Sequence, residues 1–263
     1  MMKPRFSIIT CTLNSEPWLR TCVESVLMQE DTSFEYILVD GGSIDGTLDY
    51  LRNLQTTFSS QSSPRIKRLD NVAGGISRAM NAGMEIASGD IIAHLHSDDF
   101  YLRKDVLATV DHAFQTTACR WLFGRTMSVI EGKLRAENYQ APRYSRAQLL
   151  RGNFIPHPAT FVSRALMWEA GFFDTRLKYA MDYDLWLRLS NIAEPCQIAL
   201  PLTAFREHAG SLSTRERSKA MAEDFQVRLS HSGINPFARL SHLARYCVRR
   251  RRAQLAMNGA SHA

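Results

Sequence analysis

Three short apolar segments of this chain each stop abruptly in a cluster of hydroxyl and carboxylate side chains, and this punctuation most narrows the folds open to it. The segments are FSIITCT at 6–12, YILV at 36–39 and DIIAHL at 90–95. The first carries Thr10 and Thr12 and is followed by Asn14, the second runs into Asp40, Ser43 and Asp45, and the third into His96, Ser97, Asp98 and Asp99. Short apolar runs bounded by turn residues read as buried strands. Between them lie helical patterns. Ser15-Glu16-Pro17 is a helix-start signal, with Leu19, Val23, Val26 and Leu27 at helical spacing behind it. Leu48, Leu51 and Leu54 mark a second helix. A third runs from Ile76 to Ser88, with Ile76, Met80, Met84 and Ala87 on one face and Gly89 as its stop. This βαβα alternation predicts a mostly parallel, Rossmann-like α/β sheet with helices on both faces. Ligands of such sheets bind at the carboxyl ends of the strands. One polar cluster there would be only a hydrophilic turn, but three converge on one rim.

The rest of the chain is less regular. A polar loop at 56–64 precedes a short strand at 65–69, and a helix is expected at 105–114. Segments 121–130 and 133–138 form a hairpin closed near Glu131-Gly132. A Pro-containing segment at 153–163 leads into a strand, 164–170 is a short helix stopped by Gly171, 180–189 is an amphipathic helix and 197–206 a strand. No linker separates two folding units. The reading is one domain over 1–215, with a first half to about 115 and a second over 116–215, followed by a basic helical tail at 216–263.

Composition excludes several classes. At 263 residues, 45% hydrophobic and 22% charged, the chain is ordinary for a soluble globular protein. No apolar run approaches the roughly 20 residues needed to span a bilayer. The opening MMKPRFSIITCTLN reads as a first strand and not as a signal peptide. Five widely spaced cysteines without a C-x-x-C suggest free thiols in a reducing cytoplasm. The net charge of +6 is matched by six arginines at 239, 245, 249, 250, 251 and 252, so the remainder is near neutral and a nucleic-acid role is not indicated.

Asp98-Asp99 is the strongest metal signal. Adjacent carboxylates repel one another at neutral pH, and a hard divalent cation such as Mg²⁺ or Mn²⁺ relieves that repulsion; either residue could equally cap the helix that follows. Asp182 and Asp184 lie two apart on a helix and therefore point in different directions, so only one can face a given cleft. The first loop, TCTLNSEP, lacks both the G-x-G-x-x-G of a dinucleotide-binding turn and the basic, Gly-rich loop of a nucleotidyltransferase.

FSIITCTLN, YILVDGGSIDGT, GISRAMNAGMEIASGDIIAHLHSDD, HPATFVSRALMWEAGFFD, AMDYDLWLRL and FREHAGSLS occur in an order that resembles family 2 glycosyltransferases of the GT-A fold, across most of residues 5–215. The sub-type is similar to the bacterial enzymes of polysaccharide and lipopolysaccharide assembly. The resemblance implies an inverting, metal-dependent transfer of a sugar from a nucleotide-diphosphate sugar, most commonly a UDP-sugar, to a saccharide or lipid-linked saccharide. It places Thr10, Thr12, Asn14 and Asp40 around the nucleoside, Asp99 on the metal (Mn²⁺ or Mg²⁺) and Asp98 on the ribose or the metal. It makes Asp182 the catalytic base and brings His208 to the metal or the diphosphate, although His208 reads equally well as a surface-loop residue. Arg78 either contacts the diphosphate or lies on a solvated helix face.

The chain departs from the family pattern at three places. Met181 stands where the family has the Glu of a Glu-Asp pair, His96 where it often has Asp or Asn, and Ser77-Arg78 where the sub-type often has an aromatic followed by an acid. These departures keep open a non-catalytic nucleotide-binding module, or another metal-dependent nucleotide-handling transferase on the same sheet. Phe237, Leu240, Leu243 and Val248 among the arginines read either as an amphipathic helix for anionic lipid or as a solvated helix ending in a disordered tail, so the enzyme is expected in the cytoplasm, peripheral on the inner face of the membrane if the helix binds lipid.

Overall fold

A computed structural model describes residues 3–58, 65–136, 141–206, 208, 216–233 and 236–260. The expected strand residues 137–138 and most of the FREHAGSLS segment lie outside them. Strands β1 (Phe6–Thr12) and β2 (Phe34–Asp40) are buried at every position; apolar residues dominate both, and the buried polar members are paired, Ser7 Oγ donating to Glu35 at 2.6 Å. Helix α1 (Glu16–Leu27) crosses between them, with Pro17 in its first turn. Helix α2 (Thr47–Phe58), β3 (Arg65–Leu69), α3 (Ile76–Glu85) and β4 (Ile91–His94) complete the first half. β3, β2, β1 and β4 lie side by side and parallel.

Beyond β4 the sheet changes character. The two-residue strand β5 (Phe100–Tyr101) and helix α4 (Val106–Thr117) lead to the hairpin β6 (Trp121–Ile130) and β7 (Lys133–Ala136). Short helix α5 (Arg146–Leu149), a 3₁₀ turn at His157–Ala159, β8 (Thr160–Ser163) and α6 (Arg164–Ala170) follow. The chain continues through α7 (Met181–Ile192), β9 (Cys196–Arg206), α8 (Arg217–His231) and α9 (Pro236–Ala260). The strand order is β3-β2-β1-β4-β8-β6-β9-β5, with β7 on β6. β8 runs antiparallel to both β4 and β6, β6 and β9 are parallel, and β5 is antiparallel to β9. The parallel half therefore lies where the alternation predicts it, and the second half makes the sheet mixed.

Two apolar clusters cover the two faces. One joins Ile8, Tyr36 and Leu38 to Leu19, Val23 and Val110 of α1 and α4. The other joins Ile9, Ile37 and Met80 to Trp121, Leu185 and Trp186, so α7 is anchored by its own apolar face. Helix α8 packs on α7 with Arg228 at only 1% exposure, and Phe225 of α8 stacks on Tyr246 of α9 with ring centroids 4.6 Å apart.

Candidate active site

The rim is built from the ends of β1, β2 and β4. Asp40 accepts hydrogen bonds from Thr12 Oγ1 (3.0 Å), Ser43 Oγ (2.5 Å), the Gly42 amide (2.8 Å) and the Ser43 amide (2.9 Å). Gly42 has φ of +99°, which a glycine adopts without strain, and this lets the chain fold back over the carboxylate. Asn14 ties the two loops together: its amide donates to Ser43 Oγ at 2.8 Å, and its Oδ1 accepts from the Ile44 amide at 2.9 Å. Asn14 remains exposed, as do its neighbours on this rim, Leu13 and Ile44.

Two of the residues expected around the nucleoside, Thr10 and Asp40, are fully buried here. Thr10 lies one pleat, roughly 7 Å, below the rim residue Thr12 on the same face of β1. Its hydroxyl donates to the Leu95 carbonyl at 2.6 Å and meets Tyr36 Oη at 3.0 Å, so it is core and not cleft. Asp40 is fully buried and its oxygens are committed to the turn, so it shapes the rim from beneath. Arg78 is exposed on the first turn of α3, its aliphatic stem lying over Gly74.

At the end of β4 the two carboxylates diverge. Asp98 is partly exposed, and its Oδ2 lies 3.1 Å from Nε2 of His208. Asp99 is 2% exposed and accepts from the Arg206 amide at 3.2 Å. Burial, and then the charge of Asp98, raises the Asp99 carboxyl well above the usual carboxylate range. Sheet order explains the geometry. β5 begins immediately after Asp99 and pairs antiparallel with β9, Phe100 opposite Ala204, which brings Arg206 and His208 back over the Asp98-Asp99 turn. The Arg206 guanidinium lies 4.6 Å from the ring centre of Trp18, whose ring also lies 5.3 Å from that of His208. Of the adjacent pair expected to hold the metal, Asp98 is thus the accessible member.

Asp182 sits in the first turn of α7. Its Oδ2 accepts from Asn153 Nδ2 at 3.1 Å, and its Oδ1 from the Tyr183 amide at 2.7 Å. Burial pushes its carboxyl up to about 6, against the lowering effect of these two donors and with a further rise from Asp224. Asp184 points away, as the two-residue spacing requires: it pairs with Arg188 Nε at 2.8 Å and His231 Nε2 at 2.9 Å. A run of rings connects the two acidic centres. His96 stacks on His157 at 4.9 Å, and His157 lies 5.8 Å from Trp186, one turn beyond Asp182 on α7. His94 and Phe173 complete the cluster. Burial first, and neighbouring imidazoles second, lower His94 to about 3 and hold His157 well below the ordinary imidazole range. Asn153 and this ring cluster escaped the sequence reading because the residues are scattered along the chain and meet only in space.

Among the described residues no group of three or more His, Cys, Asp or Glu side chains is disposed to hold a metal ion. The donor chemistry of Asp98, Asp99 and His208 nevertheless fits a hard or borderline divalent cation. Mg²⁺ and its relatives commonly take one or two protein carboxylates and complete their shell with phosphate oxygens and water.

The sequence profile described as glycosyl transferase family 2 matches residues 7–169. The chain belongs to this family. Among curated family relatives, it is 31% identical over 194 residues to a chondroitin synthase of Pasteurella multocida (strain Pm70). That match covers 73% of this chain and 19% of the synthase, so the chain spans about a fifth of that relative's length. Two solved structures share the fold at low identity. S. aureus TarS 1-349 in complex with UDP-GlcNAc superposes with a TM-score of 0.71 at 17% identity, over 94% of this chain and 72% of that one. The mannosyltransferase PcManGT of Pyrobaculum calidifontis, in complex with GDP-Man and Mn²⁺, gives 0.65 at 17% identity, over 100% of this chain and 81% of that one. The architecture is that of GT-A glycosyltransferases.

Proposed function

We propose that this family 2 glycosyltransferase is an inverting enzyme that moves a sugar from a nucleotide-diphosphate sugar to a hydroxyl of a saccharide or lipid-linked saccharide in cell-surface polysaccharide assembly. The observation that carries the reading is Asp182: a carboxylate held by Asn153, raised to about 6, in the first turn of a rigid core helix. A base of that strength is mostly ionised at neutral pH yet strong enough to take a proton from an attacking hydroxyl. Attack from the face opposite the leaving group inverts the anomeric carbon. Asn14, Leu13 and Ile44 present polar and apolar surface to the nucleoside, with Thr12 and Asp40 fixing the loop beneath them. Asp98, with His208 and Asp99, is the proposed cation site, and Arg78 stands at the rim for the diphosphate. Mn²⁺ or Mg²⁺ bound there would supply neutralisation of the leaving diphosphate. UDP-GlcNAc bound to TarS and GDP-Man bound to the mannosyltransferase support a nucleotide sugar as the donor class, and a UDP-sugar is the first donor to test.

Among the described residues no helix is long and apolar enough to cross a membrane. We assign α9 instead to the cytoplasmic surface of an anionic bilayer. Leu240, Leu243 and Val248 are 65%, 46% and 51% exposed, and Arg239, Arg245, Arg250 and Arg251 are exposed around them.

The deciding experiment is calorimetry with UDP, GDP, CDP and ADP, each with and without Mn²⁺, on wild type and on Asp98→Ala. The proposal requires one diphosphate that binds wild type only with the metal and loses affinity in the variant. Binding of none overturns it.

A further inference from the structure

Helix α7 starts without a cap of its own. Ala180 occupies the capping position and has no side chain able to accept from the first amides of the helix. Such amides seldom remain unpaired at a helix start packed against other elements. Within the helix the Tyr183 amide is taken by Asp182 Oδ1 at 2.7 Å, and the Ala180 amide, with the two amides before it, is taken by an acceptor from another element, 43–45 residues on. Glu223 of α8 accepts at Oε1 from three consecutive amides: Lys178 (2.9 Å), Tyr179 (2.6 Å) and Ala180 (2.7 Å). Its Oε2 also lies 3.2 Å from the Lys178 amide. A carboxylate at this point also faces the positive end of the α7 dipole, and charge-assisted bonds of this kind are roughly twice as strong as neutral ones.

The same helix holds the other side of the Asp182 site. Arg228, 1% exposed, donates from Nη1 to the carbonyl of Arg151 at 3.3 Å, two residues before Asn153, and from Nη2 to Asp224 at 2.7 Å. His231 pairs with Asp184, two residues after Asp182. Both segments whose side chains meet in the Asn153–Asp182 hydrogen bond are therefore fastened to α8 within three residues of that bond. Helix α8 lies beyond the residues matched by the family profile, which ends at 169.

We infer that Glu223 is a positioning residue for Asp182: its carboxylate fixes the start of α7 so that Asp182 stays within reach of Asn153 and the acceptor hydroxyl. Both carboxylate oxygens of Glu223 are taken by backbone amides, so its role is to hold the segment. The inference rests on Asp182 being the base, so the test separates the two.

Full-length wild type is compared with Glu223→Ala, Glu223→Gln and Glu223→Asp. Amide hydrogen exchange of peptides covering 178–183 is measured first. Glu223→Ala should raise exchange there at least tenfold, leaving β1 and β2 peptides unchanged. Glu223→Gln, which keeps an acceptor oxygen without its charge, should fall between. Mn²⁺-dependent UDP and GDP affinities should stay within twofold, because the rim is built from other elements. Turnover with UDP-GlcNAc or GDP-mannose should drop at least tenfold in Glu223→Ala and recover partly in Glu223→Gln. If Glu223→Ala does not fold, the Gln and Asp variants carry the same comparison. Unchanged exchange at 178–183, or raised exchange with turnover within twofold of wild type, overturns the inference. Activity retained by Asp182→Asn overturns the assignment of the base instead, and the exchange result still decides whether Glu223 holds this segment.

Discussion

Asn153 donates from Nδ2 to Oδ2 of Asp182 at 3.1 Å, joining the loop after α5 to the first turn of α7. The donor favours the ionised carboxylate, opposing the burial that lifts this group to about 6. The base works only when ionised, so turnover should fall about tenfold per pH unit below pH 6. Removing the donor in Asn153→Ala raises the carboxyl further and should shift the acid limb upward by about half to one unit, since one unit corresponds to about 1.4 kcal/mol. A wild-type limb near pH 4 in the rate profile contradicts this.

Asp182→Asn keeps the shape of the side chain and removes its basicity. Transfer should fall by at least about 10²-fold, the lower range for a positioned general base, while Mn²⁺-dependent nucleotide affinity is unchanged. Kinetics and calorimetry on one preparation decide it, and loss of both properties together is the contrary outcome.

His208 and Asp98 are 3.1 Å apart, and they come together through the pairing of β5 with β9. His208→Ala should weaken Mn²⁺-dependent nucleotide diphosphate binding by about 10- to 100-fold, the usual range for an altered metal environment, with little effect on thermal unfolding. Equal affinity with and without the imidazole would remove His208 from the site.

Thr10 tests how deep the rim extends. Thr10→Val leaves the Leu95 carbonyl and Tyr36 hydroxyl without this partner and should cost about 1–3 kcal/mol of stability. Nucleotide affinity should not change. Urea unfolding alongside calorimetry separates this from a direct nucleotide contact, for which affinity would fall.

The buried imidazoles predict acid sensitivity. His94 and His157 are depressed in the folded protein, mainly by burial, so below about pH 6.5 the unfolded chain binds the additional protons. Their stabilising contribution is complete above that pH and is lost as pH falls toward the folded values. The slope is up to about 1.4 kcal/mol per pH unit for each imidazole. His157→Gln should flatten the urea midpoint between pH 6.5 and 4.5, and an unaltered slope would show that His157 does not titrate in this window.

The sequence by itself determined the parallel half of the sheet and the position of its rim. Strands buried on both faces are rich in apolar residues, so β1, β2 and β4 announce themselves, and the clusters of polar residues that follow them mark their ends. The hairpin at Glu131-Gly132, the stop of α6 at Gly171 and the opposed directions of Asp182 and Asp184 are equally local, set by turn chemistry and helical period. Tertiary structure decided what depends on depth and on distant partners. Alternation along β1 puts Thr10 and Thr12 on one face but does not say which is at the surface. The pairing of β5 with β9, far apart in the chain, brings His208 to Asp98 and buries Asp99. The hold of Glu223 on the residues leading into α7 and the hydrogen bond from Asn153 to Asp182 likewise join segments that carry no mutual sequence signal, because a carboxylate or amide side chain looks the same whether it meets water or a partner from across the fold.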